Sequence, residues 1–432
     1  MKGLAARNGG RVGLVALVAI LLLGLGLRTD YAWEGREPVY DAAGYASIAA
    51  NLERGEGFTL GRDGTQPASN YSPGLPLLTG GIYALTGGVH ERLARLALAL
   101  VGALAILFAY LIGCRLSGPL AGLIGAAAVA VYPALLEYQG MLMGEPLAAT
   151  LLSGAVLAML WAASGGNRGH LRWLLPGALL GALTLVRPEY LAISIPIAVV
   201  VFALAGLESW KRGLAQAAIL LVGLALVVAP WTVRNAVELE RFVPVSTGGG
   251  QVLFAGSYMP SGGDPERVGA EVLERHPGLV RQLPADARLE QILAALAEQR
   301  YPEMESDAAL ARMGRERLWD DVSERPVGYA GFVVAKVARI WGHGVRDVMR
   351  KPGWEVFHWL LVGLGLLGLG ILAWQRRWEA LLLGVVLLAV TATGALFVAS
   401  PRRVLVTIPV VAALAGVGAT ACRDSLARRW NR

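Results

Sequence analysis

The sequence predicts an all-α polytopic membrane protein. Three observations predict it. Of the 432 residues, 55% are hydrophobic, only 16% are charged, and the apolar residues gather into long runs rather than alternating with polar ones. A soluble domain carries roughly 25% charge. Glycine is abundant, at 55 residues, as suits membrane helices that approach closely. The net charge of +7 comes from basic residues scattered in pairs between apolar runs, so it reads as membrane topology rather than as a nucleic-acid surface. Cys114 and Cys422 fall at the ends of apolar runs and offer neither a disulfide framework nor metal-ligand spacing.

About ten transmembrane helices are expected, at roughly 12–28, 93–113, 118–136, 146–163, 171–186, 190–207, 213–230, 354–374, 379–398 and 404–421. Each approaches the ~20 apolar residues needed to cross ~30 Å of hydrocarbon. The opening "MKGLAARNGGRVGLVALVAILLLGLGLRTD" starts like a secretory leader. Its apolar run from Val12 to Leu27 is long and lacks a small-x-small cleavage site, so a retained first helix is expected.

With ten spans, Lys2, Arg7, Arg11, Arg115, Arg168, Arg172, Lys211, Arg212, Arg376, Arg377, Arg423, Arg428, Arg429 and Arg432 all fall on one side. That side is the cytoplasm, which holds both termini. The opposite face receives residues 29–91, 137–145, 187–189, 231–353 and 400–403. The expected organisation is a transmembrane module over 1–235 with its outer loop 29–91, an extracytoplasmic segment over 236–353, and C-terminal membrane helices over 354–432. The extracytoplasmic segment begins Gly-rich and extended ("FVPVSTGGGQVLFAGSYM"), then turns helical ("ADARLEQILAALAEQ"), so a small α+β domain is expected there. Its last helix, "GYAGFVVAKVARIWGHGV", is amphipathic and expected on the membrane surface.

The residues that stand out sit on the outer face. "DAAGYASIAANL" sets Tyr45, Ile48, Ala49 and Leu52 on one side of a helix suited to lying in the interface, with Asp41 at its start. Asp41 is either an N-cap or a base held at the membrane surface. Glu145, in "MLMGEPLAAT", stands beside Met141, Leu142 and Met143 just before a span. It is either a helix-start carboxylate or a charge with a task, since an ionised group at the bilayer edge is costly. In "LVRPEYLA", Pro188 should force a break, leaving Arg187 and Glu189 as a self-neutralising pair or as a guanidinium for a lipid phosphate. "PWTVRN" offers Trp231 as an interfacial anchor, with Arg234 and Asn235 at headgroup depth, and "SPRR" adds Arg402 and Arg403. Outer basic residues run against the positive-inside trend and suit an anion on that face. There is no glycine-rich nucleotide loop, no D-x-D, and only five histidines; Asp320 and Asp321 are adjacent and lack D-x-D spacing.

At this point the chain resembles the GT-C superfamily of lipid-linked-sugar-dependent glycosyltransferases, most closely the branch holding the bacterial aminoarabinose transferases and protein O-mannosyltransferases. The similar stretches run in order: "DAAGYASIAANLERGEGF", "YSPGLPLLTGGIYALTG", "YPALLEYQGMLMGEP", "VRPEYL", "PWTVRNAVELERFVPVSTGGGQVLFAG" and "SPRRVLVTIPVVAALAG". The resemblance implies a catalytic Asp in the first outer loop, at Asp41, and a second outer acid at Glu145. Two departures stand out. Ala42 replaces the acid that often follows that Asp, and "SPG" at 72–74 replaces a Lys-Pro-Pro that some relatives place near the donor phosphate. Arg187, Arg234 and Arg402 are therefore the expected phosphate ligands, and Tyr45, Tyr71, Glu189 and Asn235 the expected cavity residues.

The implied reaction is inverting transfer of a sugar from a polyprenyl-phosphate donor to a hydroxyl acceptor (glycan, glycolipid or protein). It is expected at the outer face of a bacterial cytoplasmic membrane, with no cofactor and no metal. The alternatives are a transporter or flippase of an amphipathic lipid, which predicts polar residues in both leaflets and often a repeat between halves, and a non-enzymatic scaffold.

Overall fold

The computed structural model describes residues 2–35, 38, 41–61, 64–165, 169–264, 266–342 and 347–430. Arg168 and Arg432, two of the residues behind the expected topology, lie outside the described residues. The chain forms two compact units. One comprises Met1–Val245, Gly344–Leu387 and Leu405–Arg432; the other comprises Ser246–His343 and Leu388–Val404.

The first unit contains α1 (Lys2–Glu34), α2 (Asp41–Glu53), a two-stranded hairpin of β1 (Thr59–Leu60) and β2 (Gln66–Pro67), α3 (Gly74–Thr86) and α4 (Glu91–Ser117). It continues through α5 (Pro119–Val131), α6 (Pro133–Gln139), α7 (Glu145–Ala163), α8 (Leu174–Val186), α9 (Tyr190–Gly206) and α10 (Trp210–Glu238). The second unit holds α11 (Gly249–Ser257), α12 (Val268–Arg275), α13 (Pro277–Val280), α14 (Leu289–Arg300), α15 (Ser306–Glu324) and α16 (Pro326–Gly342). The chain then returns to the first unit through α17 (Pro352–Trp374). It shares α18 (Trp378–Leu396) between the units, adds α19 (Arg402–Leu405) to the second, and ends in α20 (Ile408–Trp430) of the first.

Among the described residues, seven helices are long and apolar enough to cross a membrane: α1, α4, α7, α10, α17, α18 and α20. The pair α5–α6, bent by 50°, makes an eighth if it is one span. The other two expected spans, 171–186 and 190–207, are apolar but shorter, in the 10–17-residue class. The cause of their shortness is local. Pro188 excludes helical geometry at the residue before it, and Arg187 is extended at φ −139°, ψ 96°, so α8 stops at Val186 and α9 restarts at Tyr190.

The bend between α5 and α6 has a cause that hydropathy hides. Pro133 cannot donate a backbone hydrogen bond and ends the ladder of α5. The released carbonyls of Val129 and Ala130 accept hydrogen bonds from the buried Arg28 guanidinium of α1, at 3.0 and 3.2 Å. The expected first span ends at Arg28, whereas the helix continues to Glu34 with Arg28 inside it. At the same bend the Tyr132 hydroxyl lies 2.9 Å from His358 Nδ1 of α17, both side chains buried.

The loop between α1 and α4 folds on itself. Its small core is Ile48, Phe58 and Ala68, flanked by Leu52, Leu60, Tyr71 and Trp231. Buried Asn51 of α2 donates to the carbonyls of Thr59 and Gly61, both at 2.9 Å, and so fixes the loop that leads into the hairpin.

The second unit packs around Phe254, Tyr258, Val272, Leu293, Leu296 and Leu310. Its expected extended opening is instead helical: "GGQVLFAGS" is α11, and no strand occurs among the described residues of 246–342. The reason is a non-local cap. Asp307 Oδ1 of α15 accepts the N–H groups of Gly250 and Gln251 at 2.9 and 3.2 Å, satisfying the free donors of α11's first turn.

Candidate active site

The site is built around Glu145. After α6 the chain makes a buried turn through Leu142, Met143 and Gly144 and enters α7 with Glu145 as its first residue and Pro146 as its second. A carboxylate in the first turn meets the positive end of the helix dipole, and Pro146 withholds an N–H that the first turn would leave unbonded anyway. Glu145 is fully buried. A buried carboxylate without compensation is too costly to persist ionised, and the compensation is Arg187: its Nη1 lies 3.8 Å from Glu145 Oε1 and its Nε 3.5 Å from Glu189 Oε1. The extended backbone that Pro188 imposes is what aims Arg187 back toward α7. Among the described residues, one guanidinium thus serves two carboxylates.

The loop between α1 and α4 reaches this cluster through two close approaches. Tyr71 lies against Gly44 of α2, where any side chain would overlap its ring, and packs edge-on to Tyr45 with ring centroids 5.4 Å apart. Three residues on, α3 opens at Gly74, where a Cβ would come within 2.6 Å of Val186 Cγ2 and 2.9 Å of the Leu185 backbone. Val186 directly precedes Arg187. The route from α2 to the charge cluster therefore runs through Gly44, Tyr71, Gly74 and Val186. Asp41 is the first residue of α2 and is exposed, in keeping with a helix-start acid open to water.

Arg234 sits at the other margin of the loop. α10 does not end at "PWTVRN" but continues through Pro230 to Glu238. Its Arg234 guanidinium stacks 5.1 Å from the Trp231 ring centroid and 5.8 Å from that of Phe58. Phe58, in the "GEGF" turn, is a contact that sequence reasoning missed; an aromatic between two glycine-rich turns was its only signal. Trp231 does more than anchor: it packs on Phe58 at 4.8 Å and donates Nε1–H to Val245 O at 2.8 Å.

Asn235 was expected in the cavity. It is buried, and its amide donates to Val243 O and Val245 O at 3.1 and 2.9 Å, so its N–H groups hold the returning chain. Arg402 belongs to the second unit, unlike every other expected site residue. Among the described residues, no group of three or more His, Cys, Asp or Glu side chains could hold a metal ion.

Residues 70–233 match the family model of the dolichyl-phosphate-mannose-protein mannosyltransferases. No curated protein matches the sequence. Among solved structures, the archaeal oligosaccharyltransferase AglB from Archaeoglobus fulgidus, in complex with an inhibitory peptide and a dolichol-phosphate, aligns over 96% of this chain with a TM-score of 0.58 and 16% identity. Its apo form aligns over 97% with a TM-score of 0.55. The chain spans about half the length of these proteins, 50% and 52% respectively. ArnT from Cupriavidus metallidurans, bound to undecaprenyl phosphate, aligns over 91% of this chain and 77% of its own at 17% identity, with a TM-score of 0.45. The chain thus resembles the archaeal oligosaccharyltransferase in fold and, over 70–233, the dolichyl-phosphate-mannose-protein mannosyltransferases in sequence. The matched stretch includes Tyr71, Glu145, Arg187 and Glu189 and stops one residue short of Arg234.

Proposed function

We propose that the chain transfers a sugar from a polyprenyl-phosphate donor to a hydroxyl acceptor, with inversion at the anomeric carbon, at the outer face of a bacterial cytoplasmic membrane. The observation that carries this reading is the cluster of buried Glu145 with half-buried Arg187 and Glu189 at the end of apolar helices, on which the loop bearing Asp41 converges. Carboxylates at low dielectric favour the positive charge of an oxocarbenium-like transition state.

The chemistry follows from the groups present. Breaking the C1–O bond leaves a phosphate monoester whose last pKa is about 6, so no general acid is required. Its developing second charge calls for a cation. Arg234, stacked on two aromatic rings, is the primary candidate, because Arg187 is already shared by two carboxylates. The acceptor hydroxyl becomes acidic late, as its oxygen bonds to C1, and Asp41 takes that proton. Glu145 orients the acceptor from its position beside Arg187. Tyr45 and Tyr71 wall the cavity. The step is written without a cofactor or a metal, and turnover that survives a chelator supports that part of the reading.

The test is to incubate the purified chain with a labelled polyprenyl-phosphate sugar and candidate acceptors. Release of free polyprenyl phosphate with a product of inverted configuration supports the proposal. Movement of intact lipid between leaflets without release replaces it with a flippase.

A further inference from the structure

We infer that α16 of the second unit is an in-plane membrane helix, protein on one side and acyl chains on the other, that seats this unit in the bilayer. Its burial pattern is inverted relative to a soluble surface helix. Phe332, Lys336 and Ile340, one turn apart, form the buried face, so the helix's lysine points inward. Lys336 Nζ donates to Gly256 O at 2.7 Å and lies 5.0 Å from the Phe332 ring centroid. Every exposed position of α16 is Val, Ala, Gly or Pro, with Val327 at 85% and Val334 at 67% exposure. Arg339, the remaining charge on the helix, is paired with Asp264 at 3.1 Å. A helix whose outer face holds no polar side chain is unfavourable against water and suited to hydrocarbon.

A second observation identifies the occupant of that face. Trp341 Nε1, near the end of α16, donates to Thr391 Oγ1 of α18 at 3.2 Å, and Ile340 packs with Ala399 and Val404. α18 is one of the membrane-length helices. Its 19 residues span about 28 Å, the thickness of the hydrocarbon core. Thr391 lies five residues from its end, about 7 Å inside that end. The end of α16 is therefore held about 7 Å inside the edge of the hydrocarbon, within the depth to which an in-plane helix buries its apolar face. The apolar face that begins there continues back along α16 to Val327.

The test uses the full chain in nanodiscs of phosphatidylethanolamine and phosphatidylglycerol, with Cys114→Ala and Cys422→Ser as background. A nitroxide is placed at Val334→Cys and, as a control on exposed α15, at Arg315→Cys. The expected result is a several-fold higher ratio of collisions with oxygen to collisions with a water-soluble nickel chelate at 334 than at 315. Equal ratios overturn the inference, and so does shielding of 334 from both reagents, which would mean a protein covers the face. Independently, Val334→Asp lowers the melting temperature in nanodiscs if the face meets lipid; an unchanged melting temperature would count against it. Neither readout depends on turnover, so the result stands apart from the transferase reading.

Discussion

Glu145 and Glu316 are both carboxylates held by an arginine, one in each unit, and they obey opposite rules. Glu316 has the better geometry: Arg312 Nε at 2.8 Å and the Tyr301 hydroxyl at 2.8 Å. Glu145 has a looser partner, at 3.8 Å. Yet Glu316 is 46% exposed and Glu145 not at all. Water supplies what a surface carboxylate loses when its partner leaves, whereas water does not reach Glu145. The comparison shows that a short contact is a poor guide to importance and that burial of an ionised group is a good one. It also sets apart Asp41, which is exposed.

The largest expected effect falls on that residue. Asp41→Asn should lower turnover by roughly 10²–10⁴-fold, the range for a positioned general base, while melting temperature and membrane insertion stay as in the wild type. Normal turnover in labelled-donor assays would remove Asp41 from the chemistry and leave its place in the first turn of α2 as its whole role. Next comes Glu145→Gln. Removing one partner of a buried ion pair costs about 3–5 kcal/mol. The expected loss sits at the low end of that range, because Glu189 still faces Arg187. Thermal unfolding in detergent reads it directly, and a variant as stable as the wild type would mean that the charge is compensated elsewhere.

The placement of Glu145 and Arg187 was legible in the sequence for the same reason: charge and proline punctuate an apolar run locally. The extended Arg187 and the start of α7 at Glu145 follow from Pro188 and Pro146 alone. The features that were not legible depend on partners far along the chain. Arg28 reads as the flank of a span until the carbonyls of Val129 and Ala130, a hundred residues away, are seen to need donors. The Gly-rich start of the second unit reads as extended until Asp307 caps it. Asn235 reads as a headgroup-facing amide until the chain returns over it at Val243 and Val245. Hydropathy also registers an apolar run without measuring it against the bilayer, which is why α8 and α9 look like spans and are short.

Lys336 sharpens the comparison from within the second unit, because it is the buried charge there. Burial, with a smaller contribution from nearby Arg403, pushes its pKa down to about 8 from the ordinary 10.5. Between those values the unfolded chain keeps the proton that the folded chain has lost, so stability rises with pH across the window and the penalty is carried in full below about 8. At about 1.4 kcal/mol per unit, the gain is at most about 3.5 kcal/mol. Unfolding measured near each end of the window should show this gain in the wild type and its absence in Lys336→Met. Parallel curves for the two proteins would mean that the ammonium is solvated. Arg234→Ala should weaken binding of the donor lipid by about 1.5–3 kcal/mol, the scale of a hydrogen bond to a charged group. A donor affinity equal to the wild type's would take Arg234 out of the phosphate site.

The smallest effect is the one that would break the comparison most cleanly. Hydrogen bonds from Arg312 and Tyr301 hold the Glu316 carboxylate below its usual pKa. Whatever it contributes is therefore present at neutral pH and lost as the pH falls below the ordinary carboxylate range. Because the pair is solvated and screened, that contribution is expected to be too small to move the melting temperature. Glu316→Gln should melt with the wild type at neutral pH, in low salt and in high. If instead it melts well below the wild type, the short contacts around Glu316 are rigid enough to matter despite water. Exposure would then no longer separate the charges of the two units.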